Sequence, residues 1–373
     1  MMLNGTQIIR TSLIGAAFLG FLLLVYLVID SGTADVAHAM LAIGWWLLPI
    51  SLFHLVPLLF SALSWRELLP HPNRPNIITI IAIRWIRESI NSLLPVASIG
   101  GDMASVRLAR LRGVPGTQAA ASMVVDTTVG AATQLVFVIC GIALLLMRSS
   151  ERNAVVFAWA VLIGVGLFFV AIAAFVLFQH RGLFAGSAKL AHRLMPSKWL
   201  IAFAASAPRI DDAVIAAYQA GAVIWRASVL RLIGWAAGAG EIWLVMQALG
   251  HSLDIIDAFI LESLGSGVRA AAFMIPGALG ALEGSFILLG TLFGLPADTA
   301  LAISLSKRVR ELALGVPGLL VWHWIEAHYL LRWSAQRPAD GTNSADVDLI
   351  SSPGGRRRSG SLSKGLLKVT GSR

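Results

Sequence analysis

Apolar positions along this chain fall into long blocks rather than short alternations, and the blocks predict helices. Six of them, Leu13–Ile29, Val36–Leu63, Gln118–Met147, Ala154–Phe178, Ser228–Leu249 and Thr299–Tyr329, reach or approach the ~20 residues that a helix needs to cross the hydrocarbon core. Two further blocks, Ile77–Leu111 and Asp257–Phe293, are apolar but carry charges and are interrupted near the middle, at Pro95 to Gly101 and at Pro276 to Gly280. Broken backbone at membrane depth is tolerated only where the freed polar groups face protein or a water-filled cavity. Each of these blocks is therefore predicted to be a re-entrant or broken hairpin that enters and leaves on one side, with two ordinary crossings apiece as the alternative. The expected fold is an all-α polytopic membrane protein of six crossings plus two such hairpins; eight or more full spans is the competing architecture.

The punctuation of the two hairpin blocks recurs at one spacing. Pro95, Asp102, Gly113 and Pro115 match Pro276, Glu283, Gly294 and Pro296, each at an offset of 181. From Leu94 to Asp126 against Ile275 to Lys307, 8 of 33 positions are identical. A chain this rich in Ala, Leu and Gly gives roughly three by chance, so composition competes with a true repeat. Three crossings separate corresponding points, an odd number, which predicts an inverted repeat. The boundaries that follow are a first span and outer loop (1–35), repeat unit A (36–147), a connecting span (148–178), a cytoplasmic amphipathic segment (179–227), repeat unit B (228–332) and a disordered basic tail (333–373).

Composition agrees with the blocks. With 57% apolar residues, 13% charged residues and a mean hydropathy of +0.77, the chain lies far outside soluble composition. An apolar run from Leu13 to Ile29 is long for a signal peptide and is kept as a span. The single Cys140 precludes an intrachain disulfide. With the N-terminus in the cytoplasm, 22 of the 29 Lys and Arg fall on the inner side, Arg84 and Arg87 among them, while the short outer loops around Asp30, Asp35, Asp254 and Asp257 are acidic. This bias predicts a cell inner-membrane protein with both termini cytoplasmic. The segment from Gln179 to Ala227 reads as two amphipathic helices on the cytoplasmic surface. The tail beyond Ser334, with Pro353-Gly354-Gly355-Arg356-Arg357-Arg358, cannot bury a core.

Candidate chemistry lies in the hairpins and the helices that follow them. Asp126 is nine residues past Thr117 and Lys307 nine past Asp298, so each reaches roughly 13–14 Å into the membrane from opposite faces. Both arrive near the midplane, and Asp126 is expected to meet Lys307 or Arg308, leaving Arg310 and Glu311 for another partner. Asp102 and Glu283 follow Gly-rich breaks and are placed in the first turn of a helix, where a carboxylate complements the dipole. Helix capping competes there with a functional role, and the free N–H groups with Arg269, Arg84 or Arg87 nearby could instead accept a phosphate. Glu241 and Glu262 are further acids in apolar surroundings, with Arg231 and Arg269 as the first partners to consider. No HExxH, P-loop, nucleophile elbow or CxxC motif is present. His323, Glu326 and His328 sit among Trp322, Trp324 and Tyr329, a pattern that fits an interfacial aromatic belt better than a metal site.

RESINSLLPVASIGGD with its arm RLARLRGVP, and IPGALGALEG followed by GLPADTALAISLSKRVRELALGVPGLLVW, resemble the flippase-like transmembrane family. That family includes the membrane half of lysylphosphatidylglycerol synthases and, most similar here, hopanoid-biosynthesis-associated membrane proteins. The resemblance covers roughly residues 8 to 332 and implies a protein that moves or positions a lipid, hopanoid or phospholipid, without a cofactor. It is not expected to be an enzyme. Lipid-biosynthesis enzymes are the protein partners it implies, and nucleic acid is not among them. Asp102 stands where family members often have Glu, Thr127 follows Asp126 where they often have Arg, and no cytosolic aminoacyl-transferase domain is present, so lysyl transfer is not expected. The candidate substrate path read from the hairpins and midplane charges comprises Arg84, Arg87, Asp102, Asp126, Arg269, Glu283, Lys307, Arg308, Arg310 and Glu311. An accessory subunit of a lipid-biosynthetic complex and an intramembrane headgroup transferase are the alternatives.

The topology is testable directly. In a Cys140→Ala background, single cysteines at Ser197, Ser252 and Ser351 are expected to label from the cytoplasm, the outside and the cytoplasm respectively. Labelling of Ser197 and Ser252 from the same side would remove the predicted orientation.

Overall fold

The computed structural model describes residues 33–94, 99–148, 152–180, 198–272, 275 and 278–335, together with helical positions at Leu22, Val25, Tyr26 and Ile29. The first span apart from those four positions, the hairpin breaks Pro95 to Ser98 and Pro276-Gly277, and the tail beyond 335 lie outside the described residues. Among the described residues the chain is helical and has no strand. The helices are α1 (Thr33–Ile43), α2 (Leu47–Phe53), α3 (Leu55–Leu68), α4 (Ile77–Leu93), α5 (Ile99–Leu111), α6 (Gly116–Arg148), α7 (Arg152–His180), α8 (Lys198–Gln219), α9 (Gly221–Ala248), α10 (Ile255–Ala271), α11 (Ala281–Leu292) and α12 (Ala297–Ala335).

Among the described residues, four segments are long and apolar enough to cross a membrane: Val36–Leu68, Gly116–Arg148, Leu162–Gln179 and Gly221–Ala248. The first is jointed, with a 3-10 turn at Gly44–Trp46 between α1 and α2 and a single-residue turn at His54 between α2 and α3. The 39-residue α12 is long enough too, but its charges keep it below that apolar standard, and it carries Pro317 inside. The hairpin blocks resolve into two arms each. Their second arms, α5 with 13 residues and α11 with 12, reach about 20 and 18 Å, short of the ~30 Å core. Neither arm crosses alone, which favours the broken-hairpin architecture over full spans.

The helix boundaries repeat at the offset read from the sequence. Helix α5 ends at Leu111 and α11 at Leu292; α6 starts at Gly116 and α12 at Ala297. Between them, Gly113 and Gly294 take positive φ, 91° and 67°, and Pro115 and Pro296 lead into the next helix. A left-handed glycine ends one helix and a proline preorganises the start of the next, so the same short words make the same turn twice.

The two units are inverted. One core gathers Ala62, Trp65 and Leu69 of α3 and its end, Ile80 and Ile83 of α4, Leu108 and Val114 by the α5–α6 turn, and Met123 of α6. The other gathers Ile242 and Met246 of α9, Ile260 and Leu264 of α10, Phe286 and Leu289 of α11, and Ile303 of α12, with Leu295 packed against it. These are equivalent elements of the two units. Helix α6 contributes Ala119 and Met123 to the first core and Val138, Ile142 and Leu145 to the second, so at 1.5 Å per residue their nearest members lie ~22 Å apart along the helix, toward its opposite ends. Pairing is reciprocal as well: α4 packs on α12, α10 on α6, and α3 on α9. An isologous interface of this kind puts each unit's first hairpin arm against the other unit's long helix.

That interface is close. A Cβ at Gly141 of α6 would sit 1.7 Å from Ser263 Oγ of α10, and one at Gly318 of α12 would sit 2.0 Å from Ser89 Oγ of α4. Small residues permit such approach where packing, rather than the hydrophobic effect, holds helices in lipid. Gly141→Ala and Gly318→Ala are each expected to lower unfolding stability in detergent by about 1–3 kcal/mol. Adding Ser263→Gly to Gly141→Ala should recover most of that loss, and unchanged melting of the single variants would contradict the packing.

Candidate functional site

The largest assembly of charge is built where α12 of unit B faces α4 and the α2–α3 joint of unit A. Little more than one turn of α12 supplies Lys307, Arg308, Arg310 and Glu311, and helical spacing fans them toward different neighbours. Arg310 Nη1 donates to Glu241 Oε2 of α9 at 2.8 Å. His54 Nδ1 lies 2.5 Å from Glu241 Oε1 and also contacts Arg310 Nη1, while His54 Nε2 lies 2.6 Å from Glu88 Oε1 of α4. Lys307 Nζ donates to Glu262 Oε2 of α10 at 2.5 Å and stands 4.0 Å from Glu241. Arg308 bridges Glu283 at 3.0 Å and Glu311 at 3.1 Å, and Glu311 also accepts from Arg269 at 2.7 Å. Glu241 and Glu283 are buried; Glu88 has 43% of its side chain exposed and is the open end of the chain of contacts.

That open end faces a narrow cleft with room for about one water molecule. His54, Trp85, Glu88 and Ser92 line it from unit A, and Arg310 and Glu311 line it from unit B. A charged cleft between two inverted halves offers polar partners at its mouth.

A second cluster surrounds Asp126. Its Oδ2 accepts from Arg84 Nη1 at 2.7 Å and from Arg231 Nη2 at 3.3 Å, and both guanidiniums also donate to Ser61 Oγ. All three charges are buried. Nearby, Arg87 Nε donates to Asp102 Oδ1 at 2.5 Å, and Thr127 Oγ1 donates to Asp102 Oδ2 at 3.4 Å. Three arginines face two aspartates here, which leaves one cation in excess.

The structure corrects the expected midplane pair. Asp126 meets Arg84 and Arg231, and neither Lys307 nor Arg308 reaches it. The depth along the helix agrees with the sequence reading; the facing neighbour does not, because α6 packs on α10 and α9 whereas α12 packs on α4. The first guesses for the other acids are overturned similarly: Glu241 pairs with Arg310 and His54, Glu262 with Lys307, Arg231 with Asp126 and Arg269 with Glu311. Arg84, counted with the inner-side charges, lies buried inside the bundle. Asp102 and Glu283 do stand in the first turn of α5 and α11. Their hydrogen-bond partners are Arg87 and Thr127 for one and Arg308 for the other, side chains rather than helix N–H groups. Thr127 and Arg308 are equivalent positions, so each hairpin acid is gripped from the same point of the following long helix.

His54, Glu88 and Ser61 were not singled out from the sequence. A lone histidine in LPISLFHLVPLLF, an ionisable group in an apolar span between two prolines, is the signal that marks the first. Glu326, in the aromatic segment of α12, is engaged by Arg107 in a two-pronged salt bridge at 2.6 and 2.8 Å, and Trp324 is exposed. At the far end of α6, Arg148 pairs with Asp254 and Asp257, and the Arg148 hydrogen bond holds the exposed Asp254 carboxyl below its ordinary range.

Taken together, jointed spans, inverted broken hairpins and paired charge at membrane depth define a polytopic helical membrane protein with an intramembrane polar core. The profile of the family described as Lysylphosphatidylglycerol synthase TM region matches residues 12–318, and the chain belongs to that family. No curated protein and no solved structure matches it.

The pairing is open to a double-mutant cycle. Asp126→Leu strands two buried arginines and is expected to cost about 3–5 kcal/mol. Coupling between Asp126→Leu and Arg84→Met should exceed about 1 kcal/mol, whereas Asp126→Leu and Lys307→Met should add within about 0.5 kcal/mol. Measurable Asp126–Lys307 coupling would contradict the arrangement described here.

Proposed function

We propose that this chain moves a membrane lipid, a hopanoid or a phospholipid, between the leaflets of the cell inner membrane, with both termini in the cytoplasm. The observation that carries the reading is the charged cleft between α4 of one unit and α12 of the other, at the interface of an inverted repeat. Family membership ties the chain to lipid metabolism or transport. Buried ion pairs roughly break even in stability against well-packed apolar residues, so the many charges held here are poorly accounted for as glue alone. In this reading the protein is not an enzyme and uses no cofactor; Arg310, Glu311 and Glu88 meet the headgroup, and Arg269, Arg308, Lys307 and Glu283 hold them in place. Arg84, Arg87, Asp102 and Asp126 set the corresponding wall of unit A. An accessory role beside lipid-biosynthesis enzymes rests on the same buried pairs and needs no cleft.

Purified protein reconstituted in liposomes with labelled phospholipid tests the proposal. Leaflet exchange should exceed that of empty liposomes, and Ser92→Trp, which fills the cleft from α4, should reduce it to near background while the protein stays monodisperse. Exchange no faster than in empty liposomes would leave the accessory reading.

A further inference from the structure

One residue of the polar core is not a fixed charge. His54 sits at the joint between α2 and α3, and its ring is held from three other helices: Glu88 of α4 at Nε2, Glu241 of α9 at Nδ1 and Arg310 of α12 also at Nδ1. Lys307 and Glu311 of α12 complete its charged surroundings, the first beside Glu241 and the second in the cleft wall. An imidazolium donates from both nitrogens, and a neutral ring donates from one and accepts at the other. Both states find partners here. Protonated, Nδ1–H donates to Glu241 and Nε2–H to Glu88. Neutral, with the Nε2 proton gone, Nδ1–H still donates to Glu241, while Nε2 turns its lone pair to the solvent side of the cleft that the ring lines.

Charge balance allows both states too. In the salt-bridged set that includes His54, Glu88, Glu241, Glu262, Glu283 and Glu311 face Arg269, Lys307, Arg308 and Arg310, so an imidazolium brings that set to neutrality. The Asp126 cluster carries one cation in excess, so the two clusters together balance with the ring neutral. A group with partners for both forms can gain and lose a proton without stranding a buried charge. Glu88, half-exposed in the cleft, gives that proton a way to water: it passes from the ring to the Glu88 carboxylate and from there to solvent, and returns by the same path.

We propose that His54 is a proton-binding site loaded from the cleft through Glu88, and that its occupancy is coupled to lipid movement; the coupling rests on the transport reading above, and the proton site does not. Proton uptake at Nε2 draws the Glu88 carboxylate onto the ring, and proton loss releases it to the cleft, so the wall that faces Arg310 and Glu311 of unit B changes with occupancy.

Two measurements on the full chain in liposomes separate the claims. Hydrogen–deuterium exchange at the imidazole C2 position, read by mass spectrometry over a pH series, reports ionisation of His54 irrespective of any lipid. A titration at His54 whose midpoint moves in Glu88→Gln is expected; a flat profile, or a midpoint indifferent to Glu88→Gln, would overturn the proton site. Exchange of labelled phospholipid under an imposed pH gradient then tests coupling. Wild-type rates are expected to change severalfold with the gradient, and those of His54→Gln, checked for monodisperse elution and a normal melt, not at all. Equal gradient responses in the two proteins would overturn the coupling, and no exchange in wild type at any pH would remove coupling and transport together while the proton titration stood.

Discussion

Charge inside a bilayer must be answered within a few ångströms, and in this protein the answers come mostly from other helices. Arg310 is the plainest case. Its guanidinium leaves α12 and meets Glu241 of α9 and His54 of the α2–α3 joint, tying the second unit's longest helix to a helix of its own unit and to the other unit at one point. Removing Glu241 would leave an uncompensated charge at a cost of about 3–5 kcal/mol, whereas the intact Arg310–Glu241 pair contributes little net stability. The network thus acts mainly on register. It allows very few ways for α4, α9 and α12 to lie together, because nearly every alternative strands a charge in hydrocarbon.

Packing and polarity divide the work along the bundle. Two apolar cores are built from equivalent elements of the inverted units, a third packs Val125 and Val129 of α6 against Ile210 and Val214 of α8, and glycine contacts such as Gly141 on Ser263 let the units approach. The charged clusters occupy the middle, where Asp126 and Lys307 sit at equivalent depths on α6 and α12. The cleft at Glu88 opens from this polar middle.

Much of this was legible in the residues. Long apolar blocks and their Pro and Gly interruptions marked the helices, and Gly113-Val114-Pro115 against Gly294-Leu295-Pro296 marked the repeat, because turn chemistry is local and reads directly from residue type. The depth of Asp126 was legible for the same reason: rise per residue is fixed. Its partner was not. Position along an axis says nothing about which neighbour lies at a given angle around it, and that angle is settled by packing between segments far apart in sequence. Glu241 and Glu262 received their cations from Arg310 and Lys307, 69 and 45 residues away, for that reason. The signal at His54 is weak, because a single histidine in an apolar run reads equally as a core residue; the three helices around it give it a role.

The equivalence of the two units has a limit that bears on ancestry. Asp126 in one unit is replaced by Lys307 in the other, and the partners have diverged with them: the positions equivalent to Arg231 and Glu241 are Ile50 and Phe60, and that equivalent to His54 is Trp235. Two copies of unit A would offer Asp126 no Arg231, and two copies of unit B would offer Arg310 no His54. An ancestral half could have paired with itself as a homodimer, but these halves are now mutually dependent. A chain cut between them would have to reassemble as an obligate heterodimer, since neither half retains the charges to recognise its own kind.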